Sequence, residues 1–152
     1  MTGLVVLVVT LLLAAAAGLV LRSRNGQVRA TREAASTGAA ALVAQLDALG
    51  VERGERLTLL QFSSPFCAPC RATRTLLADV ARTAPDVRHV EVDVAAGDPE
   101  LALVRHLDIR RTPTTVILDS HGEELARASG VPRREQVLAV VGPPETPQVS
   151  GR

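Results

Sequence analysis

The 152-residue sequence contains no lysine, no tryptophan and no tyrosine, and its only aromatic residues are two phenylalanines. All 17 basic residues are therefore arginines, and 16 acidic residues balance them to a net charge of +1. That balance excludes the strongly basic surface typical of nucleic-acid-binding proteins. With so few aromatic side chains, the core has to be filled by Leu, Val, Ile and Ala.

Cysteine is also scarce, since Cys67 and Cys70 are the only two. This count excludes a disulfide-dense secreted scaffold. A structural zinc site needs four ligands, and His89, His106 and His121 are scattered without ligand spacing. We therefore expect no metal and no cofactor. Two cysteines separated by two residues fit a redox pair on either side of a membrane.

The N-terminal segment is a run without charge over residues 3–21. As a helix it would span about 28 Å, close to the hydrocarbon thickness of a bilayer. Apart from Thr10 it has no polar face, which argues against a buried core helix. The three alanines at 15–17 resemble the cleavage site of a secretory signal, but the apolar run continues to Leu21. The sequence favours an uncleaved membrane anchor over residues 1–22.

The charges that flank this segment predict its orientation. Arg22, Arg24, Arg29 and Arg32 all follow the apolar run. By the positive-inside rule, that side of the membrane is the cytoplasm. We expect a single-pass protein of the cell membrane whose remaining domain faces the cytoplasm. An extracytoplasmic domain is the alternative, because many membrane-tethered redox domains face outward.

After the anchor, the sequence predicts a polar linker over 23–37, an α/β domain over 38–142 and a disordered tail over 143–152. Hydrophobic periodicity and breaker residues divide the domain into alternating helices and strands. The predicted elements are a helix at 39–49, a strand at 57–62, a helix at 68–84, a strand at 87–94, a helix from residue 98, strands at 114–118 and 123–128, and a helix at 133–141. This order predicts a mixed central sheet flanked by helices.

The two cysteines lie where a predicted strand ends and a predicted helix begins. Backbone N–H groups and the helix dipole favour an anion at that point, and the thiolate is the reactive form of cysteine. Cys70 lies one helical turn after Cys67 on the same face, where it is placed to attack a mixed disulfide formed at Cys67. Pro69 falls in the first turn, where its missing N–H costs little. A structural disulfide and a metal site are the alternatives, and a bridge closing so short a loop adds little stability.

A second motif, Arg111-Thr112-Pro113-Thr114, directly precedes a predicted strand. A proline at this position is compatible with an ordinary strand start. It is equally compatible with a cis proline packed beside the cysteines.

Together these motifs resemble the thioredoxin family over residues 57–141. The matching residues are Phe62, the run from Phe66 to Cys70, Asp93, the run from Thr112 to Thr114, Gly122 and Gly130. The resemblance implies a thioredoxin-like fold and a thiol–disulfide oxidoreductase of a bacterial, membrane-anchored type. It also implies that Cys67 attacks, that Cys70 resolves, that Pro113 is cis, and that the Thr112 backbone pairs with the substrate chain. The implied partners are disulfide-containing proteins and an upstream thiol reductase as electron donor.

Three residues depart from the usual pattern of that family. Phe66 replaces a tryptophan, which keeps an apolar lid but loses an indole N–H, and Ala68 replaces a glycine between the cysteines. Gln61 stands where thioredoxins commonly bury an aspartate, six residues before the first cysteine. An amide cannot accept the proton of the resolving thiol, so we expect slower or more alkaline-dependent resolution.

Two other functions remain open at this level. One is a binding module with a thioredoxin fold whose thiols are idle or regulatory. The other is an extracytoplasmic reductase for cytochrome maturation, a group that carries an added segment after the second core strand. Only residues 95–97 separate Val94 from Asp98 here, which disfavours that group.

Overall fold

The computed structural model describes residues 2–24, 26–30 and 36–142. Helices and strands within these ranges are α1 Thr2–Arg24, β1 Val28–Ala30, α2 Ser36–Ala48, β2 Leu57–Ser63, α3 Ala68–Arg82, β3 Val87–Asp93, α4 Asp98–His106, β4 Thr114–Asp119, β5 Glu124–Ser129 and α5 Arg134–Val141.

The strands form one mixed sheet in the order β1-β5-β4-β2-β3. Strand β2 is central, parallel to β3 and antiparallel to β4. Strands β4 and β5 form an antiparallel hairpin, which β1 extends by antiparallel pairing with β5. The predicted mixed sheet, its hairpin and the order of elements from α2 onward are confirmed.

Alternation along β2 sends its side chains into two separate cores. Leu57 and Leu59 pack in a cluster with residues of α3 and α5. Leu60 and Phe62 pack in a second cluster with residues of α2 and α4. Gln61 follows Leu57 and Leu59 in the alternation, so it lies on the same face of the sheet as α3.

Local sequence signals account for where the helices around the site begin and end. Helix α3 has Cys67 as its N-cap and a proline in its first turn, and it ends shortly before Pro85. Helix α4 begins at Asp98 with Pro99 in its first turn. The observed ends differ by up to three residues from the predicted ones, as is usual at frayed termini.

The stretch predicted as a polar linker over 23–37 differs from that prediction. It contains the end of α1, which reaches Arg24, and strand β1, whose residues pair with 126–128 of β5. In the sequence, three residues separate the end of α1 from the start of β1. A three-residue strand has no periodicity to detect, because its structure depends on the free edge of β5. Residues 31–35 and the tail predicted over 143–152 lie outside the described residues.

Helix α1 covers the predicted membrane anchor. Residues 5–19 of this helix are exposed. Apart from Thr10, they are valine, leucine, alanine and glycine. The Thr10 hydroxyl donates to the carbonyl oxygen of Val6 at 2.9 Å, within the helix. Among the residues that the structure describes, no helix combines the length and apolar character needed to cross a membrane. The membrane span predicted over 3–21 is therefore not confirmed.

Candidate active site

The disulfide between Cys67 and Cys70 lies at the first turn of α3, with the two Cα atoms 5.2 Å apart. Cys67 is the N-cap residue, and its Sγ accepts a hydrogen bond from the backbone N–H of Cys70 at 3.2 Å. Cys67 is half-buried, whereas only 2% of Cys70 is exposed. The structure thus presents one sulfur toward solvent and keeps the other against the sheet.

The segment from β2 to the disulfide contains an unusual backbone conformation at Phe66. Its φ is +64°, in the left-handed region that a residue with a side chain enters at a cost of about 1–2 kcal/mol. Such conformations concentrate at functional sites. The Phe66 side chain is fully exposed, at 101%. It therefore offers an apolar surface beside the disulfide and does not cover it, in contrast to the predicted lid.

The Pro113 turn, residues 111–114, lies next to this segment. The Thr112–Pro113 peptide bond is cis, which confirms that expectation. A hydrogen bond of 3.0 Å between the hydroxyls of Ser64 and Thr112 connects the turn to the residues before Cys67. Pro113 is buried, Thr112 is half-buried and Arg111 is exposed.

Gln61 is completely buried behind Cys70. Its Nε2 donates to the backbone carbonyl of Cys70 at 3.0 Å and to Oε1 of Glu91 at 3.4 Å. Both partners are acceptors, which fixes the orientation of the amide. Oε1 of Gln61 then faces Nε2 of His89 at 3.1 Å, so that this histidine nitrogen carries the hydrogen. We call Gln61, His89 and Glu91 the wall of the site.

The charge of the wall is compensated from α3. Arg74 donates to Glu91 through Nε at 2.5 Å and through Nη2 at 2.8 Å. Burial by itself would raise the pKa of Glu91, but hydrogen bonds from Arg74 and Ser63 hold that pKa below its usual value. Burial lowers the pKa of His89, an effect that the charge of Arg74 reinforces and that of Glu91 opposes. The wall therefore combines a neutral imidazole, a neutral amide and a paired carboxylate at neutral pH.

The strand predicted at 87–94 contains His89 and Glu91, but that prediction did not connect them to Gln61. The register between β2 and β3 makes that connection, because Leu59 is opposite His89 and Gln61 is opposite Glu91. The alternation of β2 was the available signal. It puts Gln61 on the face that α3 covers, and the same face of β3 carries His89 and Glu91.

The other predicted site residues are gathered around the disulfide. Pro69 is exposed in the first turn of α3, and its carbonyl accepts a hydrogen bond from the Thr73 hydroxyl at 3.1 Å. The structure thus brings together all seven predicted site residues, namely Gln61, Phe66, Cys67, Pro69, Cys70, Thr112 and Pro113. Gln61 hydrogen-bonds to Cys70 from behind the disulfide, and the Pro113 turn is joined to the segment before Cys67 by the Ser64–Thr112 hydrogen bond.

Comparison with known proteins gives the same fold. The family described as thioredoxin-like domain matches residues 48–142. Thioredoxin H5 of Oryza sativa subsp. japonica is 35% identical over 68 residues, which cover 45% of this chain and 48% of that protein. Thioredoxin H-type 1 of Nicotiana tabacum is 30% identical over 92 residues, covering 60% of this chain and 69% of that one. The match thus spans about half the length of the rice protein.

A solved structure agrees with these sequence relatives. The thioredoxin of Fasciola hepatica superimposes with a TM-score of 0.52 at 26% identity, over 65% of this chain and 91% of the other. The fold is therefore thioredoxin-like α/β. With the family match over 48–142, the Cys67–Cys70 disulfide at the start of α3 and the neighbouring Pro113 turn, the chain belongs to the thioredoxin-like domain family.

Proposed function

We propose that this protein is a thiol–disulfide oxidoreductase that exchanges disulfides with protein substrates through Cys67 and Cys70. The observation that carries the proposal is the asymmetry of the disulfide. Cys67 is half-buried at the N-terminus of α3, where it accepts the N–H of Cys70, and Cys70 is buried against the wall. The helix terminus stabilises a thiolate at the sulfur that a substrate can reach.

The reaction balances as two exchanges. The Cys67 thiolate attacks one sulfur of a substrate disulfide, the substrate bond breaks, and the other substrate sulfur leaves as a thiolate that takes up a proton. Cys70, deprotonated, then attacks Sγ of Cys67, and the second substrate sulfur leaves. The substrate gains two electrons and two protons, and the protein acquires the Cys67–Cys70 disulfide. A dithiol donor, an upstream thiol reductase, returns it to the reduced form by the reverse exchange.

Substrate contact is proposed at Phe66 and at the backbone of Thr112. Phe66 supplies an exposed apolar surface. The side-chain hydroxyl of Thr112 is already hydrogen-bonded to Ser64, so the backbone of Thr112 is the part proposed to contact the substrate. Both flank Cys67, so a peptide bearing a disulfide can contact them while its sulfur meets Sγ. The short connection over 94–97 favours a general protein-disulfide substrate over the cytochrome-maturation alternative.

Insulin reduction by dithiothreitol tests the activity. The wild-type chain should accelerate precipitation of the insulin B chain, and the Cys67→Ser variant should leave the rate of dithiothreitol alone. Equal rates for the two proteins would contradict the proposal and leave a thioredoxin-fold binding module. A Cys70→Ser variant should instead accumulate a mixed disulfide, which identifies the substrates captured in cells.

We further propose that residues 3–21 attach the domain to the cell membrane, with the domain facing the cytoplasm. This part rests on the sequence, which is free of charge over that run and is followed by Arg22 and Arg24. The exposed apolar side chains of α1 support it. The bacterial type of the protein also stays a prediction, since the two sequence relatives described above are from plants.

Cell fractionation tests the attachment, and thiol labelling tests the side. The full chain should stay in the membrane pellet after alkaline carbonate, and a variant with Leu11→Arg and Leu12→Arg should be released. A soluble wild-type chain would contradict the attachment. In intact cells, a membrane-impermeant maleimide should fail to label Cys67 unless the cells are permeabilised. Labelling without permeabilisation would place the domain outside.

A further inference from the structure

Strand β1 occupies the edge of the sheet beside β5, in the stretch that sequence reasoning assigned to a linker. Val28 is opposite Ala128 and Ala30 is opposite Ala126. Just before the strand, the backbone N–H of Gly26 donates to the carbonyl oxygen of Ser129 at 2.7 Å. Residues 26–30 thus pair with β5 as far as its last residue.

The end of β5 is the part of the sheet that supports the Pro113 turn. The Ser129 carbonyl that accepts from Gly26 also accepts from Nη2 of Arg111 at 2.7 Å. The next residue, Gly130, donates its N–H to the carbonyl of Pro113 at 2.7 Å. The backbone of Ser129 and Gly130 therefore connects Gly26 to residues on both sides of the Thr112–Pro113 bond.

The approach of Gly26 to this backbone is too close for any other residue. Its φ is +76°, and a Cβ at that position would lie 1.9 Å from the carbonyl oxygen of Val131. The strand is held on its other side by α5, because the N–H of Val28 donates to Oε1 of Gln136 at 3.3 Å. Val28 also packs against the core cluster between the sheet and α5.

We propose that residues 26–30 position the substrate-binding turn at 111–114, by fixing the Ser129–Gly130 backbone on which that turn rests. Without them, β5 would be the exposed edge of the sheet, with the Ser129 carbonyl held by Arg111 and solvent. The catalytic consequence rests on the proposed function, since substrate contact at Thr112 is part of it. The structural consequence, a more rigid Pro113 turn, does not.

Amide hydrogen exchange in the full-length oxidised protein, kept in detergent micelles, tests the structural part. The Gly26→Ala variant should exchange the Gly130 amide about five- to tenfold faster relative to the amides of central strand β2. The matched control is Gly50→Ala, because Gly50 has a similar φ of +67° but nothing within 4 Å of an added Cβ. That control should leave the ratio unchanged. An unchanged ratio in Gly26→Ala, or an equal rise in Gly50→Ala, would overturn the proposal.

A second variant keeps the test decisive if Gly26→Ala does not fold. Gln136→Leu removes the acceptor of the Val28 N–H without touching Gly26 or the turn, and it should accelerate Gly130 exchange in the same direction. If Gly26→Ala does not fold, unchanged exchange of the Gly130 amide in a folded Gln136→Leu protein would overturn the proposal.

Kinetics test the catalytic part. In whichever variant loosens the turn, KM for insulin should rise about fivefold while kcat with a small-molecule disulfide stays unchanged. An unchanged KM for insulin would overturn the catalytic consequence. If the wild-type chain reduces no insulin, the proposed function fails, and the exchange ratio still decides whether residues 26–30 position the turn.

Discussion

The two sides of the Cys67–Cys70 disulfide are built in different ways. The rim, formed by Phe66, Cys67 and Pro69, faces solvent, with Phe66 and Pro69 exposed and Cys67 half-buried. The wall behind Cys70 is polar and connected by hydrogen bonds across β2, β3 and α3, with Gln61 buried and His89 and Glu91 half-buried. Changes at the rim should therefore alter reaction with substrates without altering stability. Changes in the wall should alter stability, and through Cys70 they should alter the second exchange.

The largest expected effect is on the second exchange, the attack of Cys70 on the mixed disulfide, when an acidic residue replaces Gln61 in the wall. Gln61→Asp places a carboxylate where the amide now holds the Cys70 carbonyl, close to Glu91, and this carboxylate can accept the proton of the Cys70 thiol. A positioned base of this kind accelerates proton transfer by a factor of about 10²–10⁴, so resolution near neutral pH should be at least tenfold faster. Stopped-flow reduction of a test disulfide over a range of pH measures it. An identical pH profile in the two proteins would show that residue 61 does not limit resolution.

The wall should also be sensitive to the loss of its central amide. Gln61→Leu leaves the Cys70 carbonyl and the Nε2–H of His89 without that partner in a buried site. The cost of unsatisfied buried groups is about 1–3 kcal/mol in the free energy of unfolding. Urea denaturation of the oxidised protein measures it. A loss below about 0.5 kcal/mol would mean that the wall relaxes around the apolar side chain.

The rim should show the opposite behaviour at Phe66. Phe66→Ala keeps the left-handed backbone but removes the exposed ring, so the free energy of unfolding should change by less than about 0.5 kcal/mol. KM for insulin should rise about fivefold, because the ring offers apolar contact to a protein substrate. The control is Leu125→Ala, another exposed apolar residue, which lies on β5. If both variants left KM unchanged, Phe66 would not be part of the substrate surface.

The smallest predicted effect is a pH dependence of stability from His89. Burial lowers the pKa of His89 from its usual 6.5, so the unfolded chain binds this proton more readily than the folded one. The stability it contributes is present above pH 6.5 and is lost as the pH falls from there through the folded-state pKa. His89→Gln should remove this loss and keep the hydrogen bond to Gln61.

The matched control for that experiment is the exposed His106→Gln, which should keep the loss of stability. The lowered pKa of Glu91 produces a separate loss of stability, which begins only as the pH falls below about 4.5. Denaturation curves between pH 7 and pH 5 thus separate the effect of His89 on stability from that of Glu91. A wild-type curve that is flat over this range would contradict the burial of a neutral His89.

Most of the fold and the rim could be predicted from the sequence, because both depend on local signals. The Cys-x-x-Cys motif follows a strand of buried residues, and Pro69, Pro85 and Pro99 lie at or just beyond the ends of the helices around it. The wall and β1 could not be predicted in the same way. His89 and Glu91 acquire their partners from the register between two strands, and residues 28–30 acquire their structure by pairing with β5.

The most direct measurement is the identity of the cysteine that reacts first in the reduced protein. After brief treatment with iodoacetamide at neutral pH, peptide mass mapping should find Cys67 alkylated and Cys70 unmodified, because only Cys67 combines access to solvent with the N-terminus of α3. Alkylation of both cysteines at the same rate, or of Cys70 first, would contradict the assignment of Cys67 as the attacking thiol.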